Sequence, residues 1–454
     1  MVLVYLFTAV LVLAQLLLPR RLAFIPLLVA LFHLGNVALI SEFTPMRIVI
    51  LIGLGRAFAG GFLRWSAHNR LDQLVAVFAV VALLSSLGHT ASAHVPSPLI
   101  ERCGLVLNVL GAYLYARAFT GGEDFVMTLA YWLAIVMIPL SAMLTHEQVT
   151  GRNAYAMLGS RSEGASMRND GFRAKGPFGH AITAGTATAV TLPFMIFLWR
   201  RKKVLGTLGA LAAVGGALAT ASSGPLAALA VVIGLLVFWR WRQHLRPVRL
   251  AGFALLVVMH FTMSRPIWYL IARIDLVGGS TGWHRSSLID RAIRNLDEWW
   301  LAGTDVTRHW MHSGVTWNPN HTDITNYYLQ LGVLGGLPLL LTLVAIIAVA
   351  LMCLEASLPL LRGHAPDEEF ASWCVWTAIL AHSVSFLSIA YFDQSYAGFF
   401  LLVGAAPGLL EAARRRADAA EVVGDTDDDA PVRSGAWNVR SGNAGDEARA
   451  VFGQ

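Results

Sequence analysis

Apolar residues along this chain gather in blocks near twenty long, separated by short polar runs. Each block, coiled as a helix, is long enough to cross a hydrocarbon layer roughly 30 Å thick. Spans are predicted near 2–18, 22–40, 46–63, 73–87, 99–119, 125–144, 181–199, 204–219, 225–239, 248–263, 326–352, 370–390 and 397–410. The expected fold is an all-α integral membrane protein, a polytopic bundle of about 12–13 transmembrane helices. No charged segment followed by a small-residue cleavage site precedes the first block, so 2–18 is expected to be retained as a span.

Composition supports this reading. The chain has 454 residues, 56% hydrophobic and 14% charged, whereas soluble domains carry about a quarter charged residues. A compact soluble core cannot absorb that much apolar surface. The formal charge of +6 does not point to nucleic acid, because the basic residues sit in short runs between apolar blocks. Cys103, Cys353 and Cys374 form an odd set without metal-ligand spacing and read as membrane packing.

Basic runs in short loops stay cytoplasmic because translocating them is costly. The runs 200–203 and 240–249, and Arg414, Arg415 and Arg416, therefore mark the inner side. Counting spans from these anchors puts Arg20, Arg21, Arg64 and Arg70 inside as well. Three polar segments then face outward: loop 146–180, the turn 222–224 and the long loop 264–325. Residues 1–416 are expected to form the membrane domain. The segment 417–454 has too few large apolar residues to offset its ordering entropy and reads as a disordered cytoplasmic tail, its Asp427, Asp428 and Asp429 solvated rather than metal-binding.

The outer loops hold the candidate chemistry. Arg168, Arg173, Lys175 and His180 fall within thirteen positions that run into a span, with Gly171, Gly176 and Gly179 allowing tight turns. Guanidinium groups grip phosphate oxygens bidentately, which suits an anionic lipid headgroup; contact with bulk phospholipid is the plainer alternative. In the long loop, Leu288, Ile289, Ala292, Ile293, Leu296, Trp299 and Trp300 recur at helical spacing, predicting an interfacial amphipathic helix over 286–300. His284 and Arg285 stand at its start, where a cation opposes the helix dipole and hints at an anionic ligand. Asp305, His321, Asp323, Asn326 and Tyr327 crowd toward the next span. Such groups accept protons or hydrogen-bond sugar hydroxyls, while Trp310, Trp317, Tyr327 and Tyr328 offer flat faces to sugar rings.

These segments resemble motifs of the O-antigen ligase and polymerase superfamily. Arg173-Ala-Lys175-Gly176-Pro-Phe178 is similar to its Arg-x-x-Gly-x-Phe segment, and Thr220-Ala-Ser222-Ser223-Gly224 to its Thr-x-Ser-Arg-Gly turn. Arg285 matches the arginine before the loop helix, and Leu301-Ala-Gly303-Thr-Asp305 a Leu-x-Gly-x-Gly segment. Thr325-Asn326-Tyr-Tyr-Leu329, followed by Gly332, Gly335 and Gly336, is similar to a His-Asn-x-Tyr-Leu segment and its glycines. The family's turn arginine is Ser223 here, and its histidine before asparagine is Thr325. The resemblance covers roughly 168–340 and implies a metal-independent glycosyltransferase without cofactor. Such an enzyme moves a glycan from a polyprenyl diphosphate carrier to a saccharide acceptor at the periplasmic face of a bacterial inner membrane.

The departures favour a polysaccharide polymerase over a strict lipid A core ligase. Developing charge on the leaving diphosphate needs cations or a metal, and the acids of the outer loops, Asp275, Asp290, Asp305 and Asp323, are scattered. Arg173, Lys175 and Arg285 are the expected diphosphate ligands, and His321 or Asp323 the acceptor base. Arg168, His180, His284, Asp305, Asn326 and Tyr327 are expected around the substrate. Expected partners are the lipid-linked glycan, the acceptor, membrane lipids and other polysaccharide biosynthesis or export proteins. Two alternatives stand beside this reading. A lipid-linked glycan flippase would use Arg56, Arg117 and His382 within spans; a non-catalytic export component would tolerate loss of the loop cations.

Overall fold

The computed structural model describes residues 1–428 except 41, 67, 93–94, 96, 121–123, 161–163, 169–170, 274–281, 312–318 and 393, with side chains described to 420. Asn169, Asp170, Asp275, His312, Trp317 and Asn318 lie outside the described residues, as does 429–454 of the expected tail.

The described residues are mostly helical, with one short hairpin. The helices are α1 (Val2–Leu17), α2 (Ile25–His33), α3 (Pro45–Ala59), α4 (Arg70–Ser85), α5 (Pro98–Val106), α6 (Ala112–Phe119) and α7 (Phe125–Thr150). After the antiparallel strands β1 (Ser166–Arg168) and β2 (Gly171–Arg173) come α8 (Ala181–Ala189), α9 (Leu192–Trp199), α10 (Lys203–Ala219), α11 (Ser223–Phe238) and α12 (Leu245–Thr262). The long loop holds α13 (Gly282–Arg294) and α14 (Leu296–Trp299), and α15 (Tyr327–Leu361), α16 (Pro366–Ser385) and α17 (Gln394–Asp428) complete the fold.

Among the described residues seven helical stretches are long and apolar enough to cross a membrane: Arg70–Gly88, Pro98–Phe119, Phe125–Thr150, Ala181–Trp199, Ser223–Thr262, Tyr327–Leu361 and Gln394–Ala420. Val2–Leu17 and Lys203–Ala219 are shorter apolar helices. This is a multi-pass membrane architecture. The stretch Ser223–Thr262 has 40 residues, roughly 60 Å if straight, and breaks at Trp241, whose φ of −111° and ψ of 18° are not helical. One apolar stretch thereby forms two helices, α11 and α12.

Three expectations change in detail. The block 22–40 yields only the nine-residue α2, roughly 14 Å long, because the chain turns extended at Leu34 and packs Gly35 against the Gly159 backbone. The helix predicted over 286–300 starts earlier and breaks at Asn295. Its apolar stripe divides: Leu288, Ala292 and Trp299 are buried with Trp310, Met311, Leu329 and Val333, while Ile293, Leu296 and Trp300 stay exposed. Protein, rather than a lipid surface, covers half of that stripe. At the C-terminus, α17 runs to Asp428, so the start of the expected tail is helical. Its alanines and the i, i+4 spacing of Glu411 and Arg415 favour that conformation.

Candidate functional site

Side-chain contacts sort the helix termini into two ends. At one end Arg200 and Arg201 meet Asp367, Arg242 meets Glu369 at 2.6 Å, Arg249 meets Glu355 at 2.8 Å and Arg416 meets Glu368 at 3.0 Å. The Asp367, Glu368 and Glu369 pairs join the segments that follow α9 and α11, and α17, to the start of α16, while the Arg249 pair joins α12 to α15. At the opposite end the loop after α7, the long loop after α12, the turn between α10 and α11 and the start of α15 come together.

There the first loop is built on the top of α7. The Glu147 carboxylate accepts from the Gly176 amide at 2.8 Å, and Asn153 Nδ2 donates to the Gly176 carbonyl at 2.8 Å. Gly176 has φ +57°, a region a side chain enters only with strain. This anchoring presents β2 to the turn between α10 and α11. The Ala174 amide donates to the Ala219 carbonyl at 3.2 Å. Arg173 Nη2 donates to Ser222 Oγ at 2.7 Å, and Ser222 in turn donates to the Thr220 carbonyl at 2.8 Å.

Arg285 enters from the second loop on the first turn of α13. Ser286 holds that turn by donating to the Trp268 carbonyl at 3.1 Å, and Arg285 itself is 7% exposed. Both Arg173 and Arg285 have a buried Nε with no hydrogen-bond partner. Neither meets a carboxylate within ion-pair distance among the described residues.

The cations load one another. Burial and then Arg168 lower the Arg173 guanidinium from its ordinary value. Burial, then Arg168 and Arg173, lower Arg285 to about 10, against an upward pull from Asp323. Burial also lowers Lys175, partly opposed by Glu147. His180 is pushed down to about 4 by burial, then by Arg173, Arg285 and Lys175. Its Nδ1 accepts from the Ile182 amide at 3.0 Å, capping α8. The ring is neutral at pH 7, with its proton on Nε2. Arg168, Arg173, Lys175, His180 and Arg285 thus form one crowded positive site. An incoming anion would relieve both the repulsion and the unpaired donors.

Segment 301–305 does a different job. Gly303, with φ +91°, lies against α15 so closely that a Cβ would stand 2.1 Å from the Val333 carbonyl oxygen. Opposite it α15 breaks at Gly335 and Gly336, where a Cβ on Gly336 would stand 2.4 Å from the Leu301 oxygen. Asp305 binds His89 Nδ1 at 2.5 Å and both the amide and the hydroxyl of Thr90 at 2.8 Å. Burial raises the Asp305 carboxyl, but these bonds outweigh it and hold it below the ordinary value. The Leu334 carbonyl released by the break is bound by His89 Nε2 at 3.1 Å and Arg102 Nη2 at 2.9 Å. Asp305 is part of a clamp on the broken helix.

The two candidate bases have different neighbours. His321, whose Nδ1 lies 3.2 Å from Thr307 Oγ1, is lowered by burial while Asp305 and Glu101 raise it and His89 lowers it further. It belongs with the clamp. Asp323 is raised by the protein crowding its carboxyl, with His284 and Arg285 pulling it back down, although the residue keeps an exposed face. Its backbone carbonyl lies 3.0 Å from His284 Nε2. Asp323 therefore borders the cation cluster. Asn326 is buried and caps α15, its Oδ1 accepting from the Leu329 amide at 3.1 Å. Tyr327 is buried among Phe386, Tyr391 and Tyr396. Both support the start of α15 rather than line the cluster.

Four residues at this end escaped the sequence reading of the site: Glu147, Ser222, His89 and Arg102. Arg102, a cation inside an apolar block, carries a visible signal, since intramembrane charge demands a partner. The other three act through contacts far apart in sequence. Among the described residues no three His, Cys, Asp or Glu side chains converge as metal ligands. Compared with protein-family models and with curated proteins, the chain matches none.

Proposed function

We propose that this chain transfers a glycan from a polyprenyl diphosphate carrier to a saccharide acceptor, as a polysaccharide polymerase of the type its loop motifs resemble. The bacterial inner membrane is its place in this reading, with the cation cluster facing outward and the paired basic clusters facing the cytoplasm. One observation carries the proposal: two guanidinium groups, half-buried Arg173 and buried Arg285, each keep a buried, unpartnered Nε–H while they repel one another. Leaving charged donors unpaired costs a folded chain stability, and a diphosphate supplies the missing acceptors.

In the reaction an acceptor hydroxyl oxygen attacks the anomeric carbon. The bond from that carbon to the diphosphate oxygen breaks, and its electron pair leaves with the carrier. Arg168, Arg173, Lys175 and Arg285 stabilise the growing charge. Neutral His180 offers an Nε2–H to the same oxygens, and the acceptor proton passes to the Asp323 carboxylate. Asp323 is preferred to His321 because it borders Arg285.

The test is turnover by purified protein in lipid bilayers, given a polyprenyl-diphosphate glycan and a chelator. Carrier release with glycan extension is expected; no turnover, or turnover abolished by the chelator, sinks the reading. Asp323→Asn should cost about 10²–10⁴ in rate, and His321→Ala far less. A base works deprotonated, so activity falls as pH drops through the Asp323 pKa, which lies above the ordinary 3.8.

A further inference from the structure

Among the described residues Arg173 is held at one nitrogen only. Its Nη2 donates to Ser222 Oγ at 2.7 Å, whereas its Nε, also buried, meets no acceptor. Ser222 is itself 2% exposed and spends its own hydrogen on the Thr220 carbonyl at 2.8 Å. Its oxygen is thereby turned toward the guanidinium as an acceptor. The turn that holds Ser222 is tight: Ala221 has φ +42°, a left-handed conformation that costs a residue with a Cβ about 1 kcal/mol and that the surrounding contacts must offset. Its amide is tied to the Leu218 carbonyl at 3.0 Å. Gly185 packs beneath with no room for a Cβ, which would stand 2.5 Å from Thr220 Oγ1. Neighbouring Ser223 lies on the same turn, yet no hydrogen bond joins it to Arg173.

We infer that Ser222 is a positioning residue. It pins the Nη2 nitrogen of Arg173 so that the neighbouring Nε–H, already desolvated, is held for the diphosphate of the carrier. This rests on the proposed diphosphate reading. A guanidinium is planar, so holding one nitrogen restricts where the Nε–H points, and binding then loses less side-chain entropy. Without the Ser222 oxygen, Arg173 swings among rotamers under repulsion from Arg168 and Arg285. The site keeps its charge but loses the geometry that tells two linked phosphates from one.

The experiment titrates the full-length protein in bilayers with inorganic pyrophosphate and, separately, orthophosphate, in wild type, Ser222→Ala, Ser222→Cys and Ser222→Thr. Pyrophosphate binding should weaken about tenfold in Ser222→Ala, the loss of one charge-assisted bond. Preference over orthophosphate should narrow, and Ser222→Thr should restore both. Ser222→Cys, close to serine in size, should behave as Ser222→Ala and separates loss of the acceptor from loss of packing. Equal affinity and equal discrimination in wild type, Ser222→Ala and Ser222→Cys would overturn the positioning role. Wild-type protein that binds no pyrophosphate would instead overturn the diphosphate reading beneath it.

Discussion

The cation cluster and the opposite end of this helical bundle treat arginine in opposite ways. Where Arg200, Arg242, Arg249 and Arg416 lie, guanidinium groups meet carboxylates: Glu369, 1% exposed, binds Arg242 at 2.6 and 2.8 Å and lies 3.6 Å from Arg362. At the other end buried Arg285 and half-buried Arg173 lie beside further cations, and their buried Nε atoms have no partner. Paired charges join helices, and the fold uses them as ties. Unpaired buried charges weaken the fold, which is tolerable where a ligand supplies what the chain withholds.

The widest separation between the two ends should come from Arg285→Met. Transfer should fall about 10²–10³-fold, as for loss of a donor that stabilises transition-state charge. The thermal unfolding midpoint of the empty protein should not fall, because an unpaired buried cation has gone. A variant with lost stability and intact transfer would make Arg285 a tie like those at the opposite end. Glu369→Ala tests the converse. Removing it strands Arg242 and should cost about 3 kcal/mol of stability, measured by thermal unfolding in bilayers, with the transfer rate per folded molecule unchanged.

A finer effect concerns His180, whose folded pKa of about 4 lies below the ordinary 6.5. Between those values the unfolded chain binds a proton that the folded site refuses. Stability is therefore complete above pH 6.5 and is lost as pH falls toward 4, by on the order of 3 kcal/mol over the whole window. His180→Asn keeps a capping acceptor for the Ile182 amide and should flatten this acid loss. An unchanged pH profile would place the acid sensitivity elsewhere.

Much of this contrast could be read from the chain, and the unread part has a common cause. The apolar blocks predicted where helices lie, because a bilayer-length run of apolar residues is a local signal. Arg168, Arg173, Lys175 and His180 drew attention as a dense run, and Arg285 as a cation at a helix start; all five lie in one electrostatic cluster. Hidden from the sequence were the bond from Arg173 to Ser222 and the meeting of Gly303 with the break at Gly335 and Gly336. Also hidden was the separation of His321 from Asp323. Each depends on which distant segments pack together, and neither hydropathy nor spacing encodes that. Local signals misled where neighbours intervened: α2 stops short where Gly35 meets Gly159, and protein covers half of the apolar stripe of α13 and α14.

The most direct measurement is photo-crosslinking of full-length protein in bilayers with a polyprenyl diphosphate carrying a photoreactive group beside the diphosphate, followed by mapping of the labelled peptides. Label should fall in 168–180, 220–224 and 282–294, and excess inorganic pyrophosphate should displace it. Label concentrated in 200–203, 240–249 and 362–369 would contradict the account, since the carrier would then bind where the cations already have partners.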